Sequence, residues 1–192
     1  MELYLIRHTT PDVKAGICYG QSDIDVAATF AEEAASIQQK LASINPTAVY
    51  TSPSRRCSRL AQVLADYWGS QPPIEDSRLM ELHFGEWEMQ SWDDIDLSAL
   101  ECWSVSYIQQ PPPGGETFTQ LHQRARDILG ELKATSEIES AAIITHAGVI
   151  RALLAEAMDL PLSETFKFEL SYGGMTQLAC NEEAMQVACI NA

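Results

Sequence analysis

Short apolar runs alternate with helical periodicities along most of the chain. Leu3, Leu5 and Ile6, with Tyr4 between them, form a run compact and apolar enough for a buried strand. After a loop containing Gly and Asp, the residues Phe30, Ala34, Ile37 and Leu41 recur at helical spacing. Ala48 to Tyr50 then reads as a second strand. The stretch "TSPSRRC" turns it into a helix with Leu60, Ala61, Leu64 and Trp68 on one side, Ser52 as its predicted cap and Pro53 in its first turn. A third helix carries Phe118, Leu121, Ala125, Ile128 and Leu132. "AAIIT", residues 141–145, is an almost wholly apolar strand, and "HAG" leads into the helix "VIRALLAEAMDL", which Pro161 stops. Two runs of period two between Met175 and Asn191 flank Asn181-Glu182-Glu183 and predict a hairpin at a sheet edge.

Residues 83–116 break this rhythm. Trp87, Trp92 and Trp103 sit among acidic residues, and the stretch closes with "QQPPPGGE". Short helices and loops are expected there, as an insertion or lid-like segment within one domain spanning 1–192. Strands alternating with helices imply an α/β fold, a three-layer α/β/α sandwich around a mostly parallel sheet. In such sheets ligands bind beyond the carboxyl ends of the strands.

Charge narrows the partners. The 192 residues include 12 Lys and Arg against 27 Asp and Glu, a formal charge of −15. That balance argues against nucleic acid or an anionic membrane as a general partner, so an anionic ligand requires a local group of cations. No window is apolar enough to span a bilayer and no secretory signal is visible, so a cytoplasmic protein is expected. Cys18, Cys57, Cys102, Cys180 and Cys189 are odd in number and scattered, which suggests free thiols. His8, His83, His122 and His146 show no metal-binding spacing, so neither a metal nor another cofactor is indicated. The oligomeric state is not legible.

Candidate chemistry collects where the predicted strands end. The first delivers Arg7 and His8. The second leads through Thr51 and Ser52 to Arg55 and Arg56, and the third delivers Thr145 and His146 ahead of Gly148. Alone, each has an ordinary reading: an Arg-His pair by chance, a solvated basic pair on a helix, a glycine easing a turn. Their joint placement at one edge of a parallel sheet makes a phosphate-binding crevice the better reading.

The segments "LIRHT", "TSPSRRC", "MELHFGEWE", "PGGET" and "ITHAGVIR" occur in the order and spacing of the histidine phosphatase superfamily, which the chain resembles from Leu5 to Arg151. Within it, "RHTTPD" with "GICYGQSDIDV" is most similar to the bacterial α-ribazole phosphatases. The resemblance implies a phosphoglycerate mutase-like fold and a role for each matching residue. His8 would be the nucleophile that forms a phosphohistidine, Arg7 and Arg56 would clamp the phosphoryl oxygens, and His146 would complete the pocket as a further donor. Glu81 would be the general acid, with Glu86 and Glu88 as neighbouring alternatives. Tyr19 and Gly20 would bring the loop after the first strand to the substrate, and Thr9 and Ala147 would contact it. Glu116 would orient an arginine or favour the start of the next helix. The chain departs from the family pattern at Thr9 and Thr10, where glycine and glutamate are usual, and it lacks the asparagine that commonly follows.

The implied activity is metal-independent hydrolysis of a small phosphate ester. α-Ribazole 5′-phosphate or cobalamin 5′-phosphate is the expected substrate, with Trp87, Trp92, Trp103 and Tyr107 either stacking on its base or only packing the segment onto the core. A sugar-phosphate or phosphoprotein phosphatase and a phosphoglycerate mutase-like enzyme are the alternatives, and a non-catalytic phosphoryl-binding module is the reading from another class.

Overall fold

The computed structural model describes residues 1–181 and 184–192. In chain order the elements are β1 (Glu2–Arg7), α1 (Phe30–Lys40), β2 (Ala48–Thr51), α2 (Arg55–Trp68), β3 (Ile74–Glu75), α3 (Leu97–Ser106), α4 (Phe118–Ala134), β4 (Ser140–Thr145), α5 (Ala147–Met158), β5 (Met175–Cys180) and β6 (Met185–Cys189). They build one sheet of order β3-β2-β4-β1-β5-β6. β1 runs parallel to β4, and β2 runs parallel to both β4 and β3. β5 and β6 are antiparallel and extend the sheet beyond β1 as the expected hairpin. Glu182 and Glu183 of its predicted turn lie outside the described residues.

Alternation of side chains along the central strands makes the three layers. Leu3, Leu5, Ala141 and Ile143 pack with Leu121, Ala125 and Ile128 of α4 and with Ile150 and Leu153 of α5. Ile6, Ala142, Ile144 and Val49 face the other way, onto Ala34 and Ile37 of α1 and Leu60, Ala61 and Leu64 of α2. Because both faces are covered, β4 reads as a continuous apolar run. Each fully buried leucine or isoleucine here contributes on the order of 1.5–3 kcal/mol by leaving water. The core thus holds three parallel strand ends in fixed register: Arg7 opposite Thr145, and Thr51 opposite Ile144.

Several element boundaries differ from the sequence expectation. α2 begins at Arg55, with Ser54 as its N-cap, so Ser52 is not the cap and Pro53 precedes the helix. Ser52 stays extended because its N–H continues the sheet by donating to the Ile144 carbonyl, 3.0 Å away. α5 begins at Ala147, two positions before the predicted start. β3, two residues at the sheet edge with both side chains exposed, gave no apolar signal.

The segment 83–116 contains one 3-10 turn at Gly85–Trp87 and α3. Its ends are tied together: Glu116 N–H donates to the His83 carbonyl at 2.9 Å, and Glu86 N–H donates to the Pro113 carbonyl at 2.8 Å. α4 then starts on a capping box in which Thr117 and Gln120 satisfy each other's backbone N–H groups. Trp87, Trp92 and Trp103 cluster with Phe84, Cys18 and Ile95, and Tyr107 packs on the main core. Of the two expected roles for these rings, packing is the one seen.

Candidate active site

β1 ends by placing His8 in the crevice, its N–H on the Thr145 carbonyl at 3.0 Å. The ring of His8 is almost completely buried, and its Nδ1 lies 2.7 Å from the Thr9 carbonyl oxygen. A carbonyl only accepts, so Nδ1 carries the proton and Nε2 keeps its lone pair. The Thr9 backbone thus orients His8, and its buried Oγ1 has no hydrogen-bond partner among the described residues. Thr10 is not part of this pocket. Its N–H donates to Glu33 at 2.9 Å and its carbonyl accepts from Ala27, which fastens the loop to the start of α1.

The β4 end brings His146 beside His8, with ring centroids 5.1 Å apart and planes at 63°. Nη2 of Arg56 lies 3.4 Å from His146 Nδ1, and Nε2 of His146 lies 2.9 Å from Ser52 Oγ. Since guanidinium only donates, Nδ1 accepts and the imidazole proton sits on Nε2, directed at Ser52. Displacement of Ser52 from the cap position thus gives His146 Nε2 its shortest contact, ahead of Ser54 Oγ at 3.4 Å and Cys57 Sγ at 3.5 Å. Burial, then the neighbouring charges, hold both histidines well below the usual imidazole range: Arg56 and Arg7 act on His8, and His8, Arg56, Arg124 and Arg7 act on His146. Both rings are neutral at neutral pH. Beneath them, burial pushes the Cys57 thiol up to about 12, so it stays protonated.

Arg56 is fully buried and is the arginine that reaches the pocket. Its Nη1 and Nη2 donate to the carbonyls of Ser22 at 2.8 Å and Gly20 at 2.7 Å. Arg55, next in the chain, points outward to Asp23 and Asp25. Gly20 takes a φ of +37°, and a side chain there would press on Glu88 and Phe84, so glycine allows its carbonyl to reach the guanidinium. On the other side, Arg7 donates to the Leu170 carbonyl. The Nε atoms of Arg7 and Arg56 are buried without a partner. Orphaned cationic donors on either side of a neutral imidazole are suited to an anion.

Two tyrosines close the mouth. Tyr172 lies 3.9 Å from the Arg7 guanidinium and Tyr19 lies 5.1 Å from that of Arg56, centroid to Cζ. Their hydroxyls meet at 3.0 Å. Tyr19 was legible in the loop motif, whereas Tyr172 gave no local signal, since it sits in "SYGG" ahead of an edge-side strand.

Glu81 enters from the loop before the 83–116 segment. Its carboxylate accepts from Gly148 N–H at 3.1 and 3.2 Å and from Leu82 N–H at 2.9 Å. The first turn of α5 therefore holds Glu81, rather than being open to an anion at Gly148. Ala147, just before it, is buried at the same turn. Glu86 and Glu88, the neighbouring candidates, are placed elsewhere: Glu88 accepts from Gln21 N–H, Ser22 Oγ and Phe84 N–H, which pins the Gly20 loop, and Glu86 reaches no pocket residue through a hydrogen bond among the described residues. Glu116 orients an arginine, as one of its two expected roles required. It pairs with Arg124 at 2.6 Å, and Arg124 donates in turn to the carbonyls of Arg78, Met80 and Glu81. The cap of α4 is Thr117.

Comparison with known proteins supports the same reading. Residues 3–192 match the model of the histidine phosphatase superfamily (branch 1). The chain is 24% identical over 198 residues to the adenosylcobalamin/alpha-ribazole phosphatase of Escherichia coli, covering 100% of this chain and 96% of that protein. It is 30% identical over 158 residues to the metal-independent phosphoserine phosphatase of Arabidopsis thaliana, covering 79% of this chain and 66% of the other. The structure of a mycobacterial glucosyl-3-phosphoglycerate phosphatase in complex with VO3 superposes with a TM-score of 0.88 at 25% identity, over 100% of this chain and 98% of that one. With the matched model spanning nearly its whole length, the chain belongs to the histidine phosphatase superfamily and is a phosphatase of the phosphoglycerate mutase-like fold.

Proposed function

We propose that the chain hydrolyses phosphate monoesters without a metal, through a phosphohistidine on His8. The observation that carries this reading is the buried neutral His8, with Nδ1–H anchored on Thr9 and Nε2 free, between two arginines whose Nε donors lack partners. Nε2 attacks phosphorus in line with the ester oxygen, and the phosphorus–oxygen bond breaks. The Thr9 carbonyl stabilises the positive charge that develops on the ring. Arg7 and Arg56 hold the non-bridging oxygens, and His146 turns its Nε2–H from Ser52 to the phosphoryl group. Glu81, as general acid, gives a proton to the departing alkoxide. As a carboxylate it then takes a proton from water, whose oxygen attacks phosphorus and breaks the bond to Nε2, releasing orthophosphate.

For the leaving group, α-ribazole 5′-phosphate or cobalamin 5′-phosphate, and with it a place in cobalamin biosynthesis in the cytoplasm, is supported by the loop resemblance and by the name of the Escherichia coli relative. The tryptophans that could stack on its base pack on one another. The named activities of other relatives, on phosphoserine and on glucosyl-3-phosphoglycerate, point to smaller or more acidic alcohols. One observation favours an acidic alcohol: Arg151, which makes no ion pair among the described residues, shares a cavity wall with Glu81.

The test is hydrolysis of p-nitrophenyl phosphate in EDTA. Turnover that His8→Ala lowers at least about a thousandfold supports the mechanism. No turnover by folded protein across pH 5 to 8, or full activity in the variant, overturns it. Comparing kcat/KM for α-ribazole 5′-phosphate with that for sugar phosphates tests the substrate reading separately.

A further inference from the structure

We propose that Arg151 is the anion-binding residue of a leaving-group subsite, and that the preferred ester carries a carboxylate on its alcohol side. The proposal rests on the phosphatase reading above.

Among the described residues, the arginines divide into two sets. Arg55, Arg59, Arg78, Arg124 and Arg126 each make an ion pair with a carboxylate. Arg7, Arg56 and Arg151 make none, in a protein with 27 acidic residues. Two of these three flank His8, where a phosphoryl group binds. The third has the same signature. Arg151 is half-buried, its Nε is buried without a partner, and its hydrogen bond runs from Nη2 to the Phe168 carbonyl at 3.2 Å. The Phe166 ring lies over the guanidinium, 4.9 Å from its Cζ. An unpaired guanidinium in a partly desolvated site stabilises any anion that reaches it.

Its position says which anion. A cavity of about 90 Å³ is walled by Glu81, Phe84, Phe118, Phe166 and Arg151. If Glu81 protonates the leaving oxygen, the body of the alcohol continues past Glu81 into this space. The volume is that of roughly three water molecules, enough for a carboxylate and the carbon that bears it. A second phosphate would set two negative charges against one guanidinium with Glu81 alongside. A carboxylate matches the fork of donors with a single charge. The phenylalanines leave no other charged side chain on the wall, among the described residues, beyond Glu81 and Arg151.

The test uses two esters that differ only at this position: 3-phospho-D-glycerate, which has a carboxylate, and sn-glycerol 1-phosphate, which has the same configuration and a hydroxymethyl group there. The wild-type protein is expected to favour the carboxylate at least tenfold in kcat/KM. Arg151→Met should erase that preference, mainly through KM for 3-phosphoglycerate, and Arg151→Lys should restore part of it, the difference expected from a charge-assisted hydrogen bond. Equal kcat/KM for the two esters in the wild type overturns the subsite whether or not the variant folds, as does a preference that survives in folded Arg151→Met. Hydrolysis of both esters without preference defeats this inference alone. Hydrolysis of neither, nor of p-nitrophenyl phosphate, defeats the phosphatase reading with it.

Discussion

The imidazoles of His8 and His146 lie edge to face at 5.1 Å, both buried, with Arg56 hydrogen-bonded to the second and near the first. Two titratable rings at this spacing, beside fixed cations, are tolerated only while neutral. Their proton affinities in the folded state are lowered, by burial first and by the arginines second. An unfolded chain would protonate both near the ordinary value of about 6.5. Between that value and the lower folded ones, the unfolded state binds more protons, so stability rises with pH. The melting temperature is therefore expected to fall as pH drops below about 6.5 and to level off above it. His146→Gln, which removes one of the two titrations, should make the fall shallower. A melting temperature independent of pH from 5 to 7 would contradict the neutral pair.

Gly148 gives its N–H to Glu81, and a methyl group on its α-carbon would strike the Glu81 carboxylate. The carboxylate is the mobile end of a side chain, so relief is cheap for the fold and damaging for the site. Gly148→Ala is expected to melt within a few degrees of wild type while kcat falls at least about tenfold, the usual scale for a displaced proton donor. Activity equal to wild type would show that Glu81 need not occupy the position seen here.

Arg124 supports the backbone of the Glu81 loop from behind. It is paired with Glu116 and donates to three carbonyls of one turn, those of Arg78, Met80 and Glu81. Arg124→Met strands those carbonyls and the Glu116 carboxylate, at a cost of about 2–4 kcal/mol in unfolding free energy. Denaturant unfolding measures that loss. Glu116→Gln, which keeps the shape and lowers the charge, should be the milder of the two.

The tyrosines over the mouth give a KM prediction. Tyr172→Leu removes the ring from the Arg7 guanidinium, a contact of about 0.5–2 kcal/mol, and should raise KM for p-nitrophenyl phosphate several-fold. Tyr172→Phe keeps the ring and loses only the bond to Tyr19, so it should change KM less. If the two variants behave alike, the hydroxyl pair, rather than the stacked ring, is what holds Arg7.

Sequence reading reached the sheet and the histidines for one reason: a strand covered on both faces is apolar throughout, so Arg7-His8 after Leu5-Ile6 and His146 after Ile143-Ile144 stand out where the core ends. It also separated Arg56 from Arg55, through the motif and not through periodicity. It placed the cap of α2 on Ser52 because local capping preference favours serine before Pro53, but the sheet bond to Ile144 and the bond to His146 hold Ser52 elsewhere. The contacts of Thr10 and the roles of Tyr172, Arg151 and Arg124 were not legible because their partners are distant in sequence: Glu33, Arg7, Phe168, and Glu116 with the carbonyls of Arg78, Met80 and Glu81. No local pattern encodes such contacts. For the tryptophans of 83–116 the sequence left two roles open, stacking on a base or packing the segment onto the core. Folding closes them on Phe84 and Cys18.

The central claim is that His8 carries the phosphoryl group. Rapid quenching of the protein with a phosphorus-labelled ester, followed by peptide mapping, reads this directly. The account predicts label on the peptide containing His8, stable in base and lost in acid, formed within the first turnover and absent in His8→Ala. Steady hydrolysis with no label on the protein at any quench time, or label retained in His8→Ala, would contradict it.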